Sequence, residues 1–371
     1  MTEGDSGTAT SRRDASARLE VPDSSFTVFR PCRAGDEPAL GDLFYRSFGG
    51  RVTEDHWRWK LRGQPSSVDN AWLATCAGQP IFHYAGIPRR FSLGQKEVAA
   101  MLAVDAMTAP EFRRRGLLTR AVPEIHDNWR QRGVAFVLGL PNDQWGSRAR
   151  VLGWQPLFSL QWLIRPLRPE ALLASRLTLP FLKRFSAAGA AWNNFLQGRL
   201  HRDATVRVER VASAGENFDR LWEFCKADAN LSTVRDRAWV DWRYLASPSR
   251  KYVVCLARRA DEPVGYCAYY LAESGNRTSA VLAEVLAARS DESVRDSLLY
   301  ALIETLLATK AETLATLAVP GTAHFNWLRS VGFLPRRAFS VELIPLAAGL
   351  PMDAMRNADN WNLCGADFDV V

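Results

Sequence analysis

The chain has 371 residues, 47% of them apolar and 23% charged, with a net charge of +7. This composition excludes a disordered or fibrous protein and leaves room for two domains. The mild basic excess suits anionic ligands without requiring nucleic acid, and no apolar run reaches the roughly 20 residues that span a bilayer. The six cysteines include no CxxC pair and the five histidines are scattered, so neither a disulfide framework nor a metal site is indicated. Residues 1–25 are rich in Ser, Thr, Ala, Gly and Asp and lack the apolar core of a signal peptide. They read as a disordered tail, on a cytoplasmic protein.

Residues 26–30 alternate and predict a first strand. Asp36 is placed to cap a helix that carries Leu40, Leu43, Phe44 and Phe48 on one face and stops at Gly49-Gly50. His56-Trp57-Arg58-Trp59-Lys60 follows as a short helix, read as packing in preference to substrate contact. Residues 71–75 and 81–88 predict paired strands around Gly78-Gln79-Pro80, with His83 and Tyr84 on opposite faces. Residues 98–108 form the central strand, and a helix runs from Gly116 to about Arg132. Between them lies Arg113-Arg114-Arg115-Gly116. Glycine permits a backbone geometry that other residues resist, and a helix start presents free amides and partial positive charge. With Arg120 adding to the charge, this stretch suits a pyrophosphate. Residues 133–154 then read as a buried strand, an Asn, a short helix and a Leu-Gly-Trp close.

Arg113-Arg114-Arg115-Gly116-Leu117-Leu118 resembles the coenzyme A loop of the GNAT acetyltransferase superfamily, which reads Arg/Gln-x-x-Gly-x-Gly/Ala after a strand. Leu118 departs from it, standing where Gly or Ala is usual. The unit at 133–154 and the entry at 26–48 are similar to the family's flanking pieces, in the family's order. The resemblance implies a mixed twisted sheet flanked by helices, of the α/β (α+β) class, with acetyl-CoA as acyl donor and no metal. It puts Arg113, Arg114, Arg115, Gly116, Leu117, Leu118 and Thr119 at the phosphates. It puts Met107 and Thr108 beside the acyl group, and Asn142 at the mouth of a gap where the central strand parts from the next.

From Arg165 to Arg202 the composition shifts to an apolar, basic stretch with the single acid Glu170. A linker packed on both halves, a membrane-surface helix and a partner site are the readings it allows. Beyond it the sequence repeats imperfectly. Trp239-Val240-Asp241-Trp242-Arg243 parallels Trp57-Arg58-Trp59-Lys60, and Val331-Gly332-Phe333 parallels Leu152-Gly153-Trp154. Trp59 lies 94 residues before Gly153, and Trp242 lies 90 before Gly332. Such matched order reads as two tandem GNAT-like domains: 26–165 with the coenzyme loop, a linker at 166–204, and 205–346, followed by a C-terminal tail at 347–371. In the second copy Arg289-Ser290-Asp291-Glu292 stands where the basic loop should be, and its carboxylates oppose a pyrophosphate.

The chemistry expected is direct attack of an amine, on a small molecule or sugar, at the thioester. Asp105 is the first candidate base, since an ionisable group inside an apolar strand is suited to accept a proton, with Tyr84 and His83 behind it. The tyrosine that many GNAT enzymes carry four residues before the Gly-aromatic pair is absent, because Ala149 holds that place. The alternative reading, favoured by Leu118 and Ala149, is a non-catalytic acyl-CoA sensor or scaffold. Tandem GNAT-like acetyltransferases of polysaccharide pathways are the group most similar to this pattern.

Overall fold

The computed structural model describes residues 28–63, 70–94, 96–141, 148–177, 186–228 and 230–369. The expected tail at 1–25 and the candidate Asn142 lie outside the described residues. The first half runs β1 (Val28–Pro31), α1 (Glu37–Phe48), α2 (Glu54–Arg62), β2 (Ala71–Cys76), β3 (Gln79–Leu93), β4 (Lys96–Thr108), α3 (Leu117–Gln131), β5 (Val134–Gly139), α4 (Arg148–Val151) and β6 (Gln155–Pro166). Helices α5 (Pro169–Arg176) and α6 (Ser186–Gln197) connect it to the second half. There follow β7 (Val206–Val211), α7 (Glu216–Cys225), β8 (Leu231–Thr233), α8 (Arg237–Val240), β9 (Tyr252–Arg259), β10 (Glu262–Ser274) and β11 (Arg277–Ala287). Then come α9 (Glu292–Leu307), β12 (Ala311–Ala318), α10 (Ala323–Ser330), β13 (Leu334–Pro345) and the short α11 (Met352–Arg356).

The repeat is structural. Each half takes one strand, two helices and a three-strand meander, then a helix, strand, short helix and strand, with the short β8 added between the two helices of the second half, and Gly153 and Gly332 occupy the same left-handed turn at φ of 88° and 95°. All the described strands belong to one sheet, in the order β1-β2-β3-β4-β5-β13-β6-β12-β11-β10-β9-β7, with β8 paired to the end of β3. The middle of that order carries an exchange. β13 of the second half pairs with β5 of the first, while β6 of the first half pairs with β12 of the second. Each half is therefore closed by the other's last strand.

The cores follow the same plan. One apolar cluster lies between α3 and the first half's strands, with Leu117, Val122, Ile125 and Trp129 buried. A second lies between α9 and the second half's strands, around Leu298, Leu302 and Leu306. The third, on the opposite face, is shared: it runs from Leu40 and Trp57 through Trp239 and Trp242 to Phe368. Burying the sheet on both sides explains why β5 is covered at every position.

Local signals set the helix ends. Thr53 caps α2 through the amide of His56, with Glu54 and Asp55 in the first turn and Lys60 and Arg62 in the last, matching the helix dipole. Asp36 stands at the start of α1, yet its carboxylate takes the Arg30 guanidinium at 2.8 Å in place of a helix amide. A charged donor wins over a neutral one.

Candidate active site

β4 and β5 pair in parallel from Ala99 and Val134 only as far as Leu102 and Leu138. Beyond that they part. The gap opens into a cleft of about 210 Å³ lined by Ala103, Val104, Asp105 and Ala106 on one side and Gly139, Leu140 and Pro141 on the other. Phe48, Tyr84 and Trp154 close its walls, and Phe368 and Asp369 reach it from the C-terminal tail. Gly139 is required here: a Cβ at this position would meet the Trp154 indole at 2.6 Å.

A bulge sits at the mouth of this cleft. His83 pairs with Met107 and Ala85 with Val104, so β4 carries one residue more than β3 between them. Asp105, at φ of 50°, takes the left-handed backbone that absorbs the extra residue. The buried His83 ring donates from Nδ1 to the Asp105 carbonyl at 2.9 Å, which pins the bulge. Burial drives the His83 pKa down, so this ring is neutral and its proton sits on Nδ1.

The Asp105 carboxylate meets Lys60 Nζ at 2.6 Å, and the same ammonium pairs with Asp369. The Lys60 side chain is 3% exposed. Burial alone would drive its proton off, but the two carboxylates outweigh that and raise its pKa. Burial likewise works against the Asp369 anion, and Lys60 outweighs it, holding this carboxyl below its usual range.

The second half delivers Asp369. Arg235 donates to Asp367 at 2.7 Å, and Arg243 donates to the carbonyls of Ala366 and Phe368 at 3.0 and 3.2 Å. Arg235 is itself held by Glu284, whose carboxylate also accepts from Trp239, Tyr244 and Tyr266. This buried network fixes the tail against the first half.

The basic loop lies where the strand ends. Arg114 and Gly116 both have left-handed backbones, at φ of 64° and 73°. The first turn of α3 holds no acid, and no side chain caps its amides, so those of Leu117, Leu118 and Thr119 present an anion site. The basic residues are not equivalent. Arg113 is tied to the carbonyls of Thr108 and Ser47, both at 3.2 Å, and joins β4 to the end of α1. The Arg115 guanidinium stacks on Phe112 at 5.1 Å, and Arg114 is exposed. Leu118 packs against the α3 core, which explains a larger residue there.

The sequence candidates thus divide. Asp105 and Tyr84 line the cleft; His83 faces the other side of β3, edge-on to Trp57 at 5.9 Å. Tyr84 stacks on Trp129, and its hydroxyl lies 2.9 Å from His126 Nε2. Burial pushes the Tyr84 phenol up and the His126 imidazole down to about 4, so both are neutral. Met107 is buried in the shared core and Thr108 ends β4; the cleft is lined by the residues before them. Lys60, Phe48, Trp154, Phe368 and Asp369 were not candidates on sequence. The one signal for Lys60 was its place in an aromatic-basic helix, where packing was the favoured reading. Among the described residues no group of three or more His, Cys, Asp or Glu is placed to hold a metal, and no helix is long and apolar enough to cross a membrane.

Among solved structures, a GCN5-related N-acetyltransferase from Anabaena variabilis is similar over 86% of this chain and 73% of its own, with a TM-score of 0.62 and 12% identity. A protein from Enterococcus faecalis described as a probable N-acyltransferase matches equally well over the same shares, with a TM-score of 0.62 and 11% identity. A GCN5-related N-acetyltransferase from Kribbella flavida follows, over 87% and 72%, with a TM-score of 0.59 and 14% identity. These likenesses show the fold. No curated protein matches by sequence. Residues 28–156 match the acetyltransferase (GNAT) domain family.

Proposed function

We propose that the protein transfers an acyl group from acyl-coenzyme A to an amine by direct attack in the β4–β5 cleft. The observation that carries this reading is the parting of β4 and β5 beside the uncapped start of α3. The amides of Leu117, Leu118 and Thr119, with Arg114 and Arg115, hold the phosphates. Beyond Leu102 the edge of β4 that faces β5 has no strand partner, and its backbone offers pairing to pantetheine, a recognition that needs no particular side chain.

The Asp105 and Asp369 carboxylates favour a cationic amine at the cleft mouth. Asp105 takes the proton from the ammonium, directly or through one water, and the freed nitrogen forms its bond to the thioester carbonyl as the C–S bond breaks. The nitrogen gives up its second proton as the amide forms, the thiolate leaves and takes one proton through solvent, and one proton is released overall. His83 acts through the bulge it pins and touches no reacting atom. A second reading, a coenzyme sensor, is favoured by the buried methyl of Ala149 where many relatives carry a hydroxyl. Calorimetric titration with acetyl-CoA, followed by turnover assays over a panel of small amines and amino sugars, tests both. Binding with turnover supports acyl transfer, binding without turnover supports the sensor, and no binding sinks both.

A further inference from the structure

We propose that Cys255 and Cys267 form a redox-active dithiol, a modification site at which a hydroperoxide closes a reversible disulfide across the sheet of the second half. The two stand directly opposite each other on β9 and β10, in a register that runs without a shift from Ala257 and Gly265 to Tyr252 and Tyr270. Opposed residues of an antiparallel pair share one face of the sheet. Both cysteines pack on the α9 side, in the core around Leu298 and Leu302. Opposed Cα atoms in such a pair lie roughly 4.5–5.5 Å apart, inside the span of about 4.4–6.8 Å that a disulfide bridges. The two thiols are free and hydrogen-bonded to each other. The bond can therefore form without separating the strands.

Access and charge divide the roles. Cys255 is half-buried, whereas Cys267 is 2% exposed. Arg210, on the edge strand β7, stands opposite Cys255 on its other side. The hydrogen bond from Cys267, helped by the Arg210 charge, outweighs burial and lowers the Cys255 pKa. The same bond, with burial, raises Cys267 well above the usual thiol range. Cys255 is thus the attacking thiolate and Cys267 the resolving thiol. Cys32, the other half-buried cysteine, lacks this arrangement: burial, with Asp36 adding to it, pushes its thiol up to about 12.

The oxidant is a hydroperoxide from solution. The Cys255 sulfur takes one peroxide oxygen as the O–O bond breaks. The other oxygen takes up the proton that the Cys255 thiol had lost, and leaves as water or an alcohol. Cys267 then attacks the sulfenic sulfur: the S–S bond forms, the S–O bond breaks, and the Cys267 proton leaves with the hydroxyl as water. The two sulfurs have given two electrons to the peroxide. A thiol reductant reverses the bond by exchange.

The test treats the full-length protein with a small excess of hydrogen peroxide, alkylates the remaining thiols and digests with trypsin. Arg258 and Arg259 lie between the two cysteines, so a linked pair of peptides reports the bond. That pair should appear lighter by two hydrogens than its parts and vanish with dithiothreitol. Cys255 should be consumed at least about tenfold faster than Cys32. In Cys267→Ser, Cys255 should stop at the sulfenic acid, which dimedone traps, and in Cys255→Ser, Cys267 should stay unreacted. The peptide map of the parent decides the matter if either variant fails to fold. Two thiols still open to alkylation after Cys32 has been consumed would overturn the proposal. So would irreversible oxidation of Cys255 with no linked peptide.

Discussion

Trp59 and Trp242, 183 residues apart, stack at 5.0 Å and 12°, and each indole donates its N–H to the other's backbone carbonyl, at 2.7 and 3.1 Å. The two occupy equivalent places in the repeat, so the contact is reciprocal, as at a two-fold interface. It also ties the helix bearing Lys60 to the second half. Trp242→Ala removes the stack, one hydrogen bond and a buried indole. It should lower unfolding free energy by about 3–5 kcal/mol, read from urea titration. A loss under 1 kcal/mol would mean that the halves are joined by the sheet alone.

Lys60 is the sole cation between Asp105 and Asp369 in the described structure. Lys60→Met removes the ammonium that ion-pairs with both carboxylates, and breaking a buried pair from one side costs about 3–5 kcal/mol. Adding Asp105→Asn should recover part of that loss, which a double-mutant cycle measures. The single change Asp105→Asn should cut turnover about 100- to 10,000-fold while leaving acetyl-CoA affinity near that of the parent, the size of effect expected for a general base. Near-normal turnover would make Asp105 structural and move the test to Asp369.

The repeat, the central strand and the glycine turn that starts α3 are all legible in the sequence because each rests on local periodicity or on a glycine. The strand exchange is not. Nothing local in β6 or β13 says which copy each will close. The cleft was half legible. Asp105 and Tyr84 stand out as polar groups within apolar strands, whereas Lys60 owes its position to a tertiary contact with a tail more than 300 residues away. The bulge at Asp105, invisible in the sequence, separates Met107 and Thr108 from the cleft-lining residues Ala103 and Val104.

His126 gives a pH signature. Burial, with Arg130 adding to it, lowers its pKa from 6.5 to about 4. In the unfolded chain this ring binds a proton near pH 6.5, and in the folded protein only near pH 4. Above pH 6.5 neither state is protonated and the ring contributes nothing. As pH falls from 6.5 to 4, the unfolded state takes up the proton first and stability drops, by roughly 3 kcal/mol in all. His126→Gln should flatten that part of the profile of unfolding free energy against pH. An unchanged slope would place the titrating group elsewhere.

Gly116 tests the phosphate loop. A Cβ there meets nothing within 4 Å, so the fold has room for it, but its left-handed backbone and exposed amides do not suit a β-branched residue. Gly116→Val should abolish acetyl-CoA binding in calorimetry while shifting the thermal midpoint by only a few degrees. Binding at parental affinity in the folded variant would remove the loop from the site.

The last prediction concerns the second half, which keeps the fold and has lost the loop. At the start of α9, Asp291 accepts the Val294 amide at 3.4 Å and the Arg259 guanidinium at 2.7 Å. A carboxylate therefore occupies the place where the first half has uncapped amides, and a second carboxylate, Glu292, follows it. The gap beyond the β11–β12 pairing is closed as well, since Thr316 Oγ1 donates to the Leu282 carbonyl at 2.9 Å. Both the charge and the space for a second coenzyme are gone, and titration should give one acetyl-CoA per chain. The exchange adds a stronger consequence. A chain ending at Pro166 would lack β13, leaving one edge of β5 unpaired and stripping β6 of both its neighbours, β13 and β12. It would also lack Asp369 and half of the shared core. Such a fragment should fail to fold cooperatively and bind no coenzyme, as read by circular dichroism and calorimetry. Two coenzymes per chain, or a folded and active fragment, would show that the halves are independent after all.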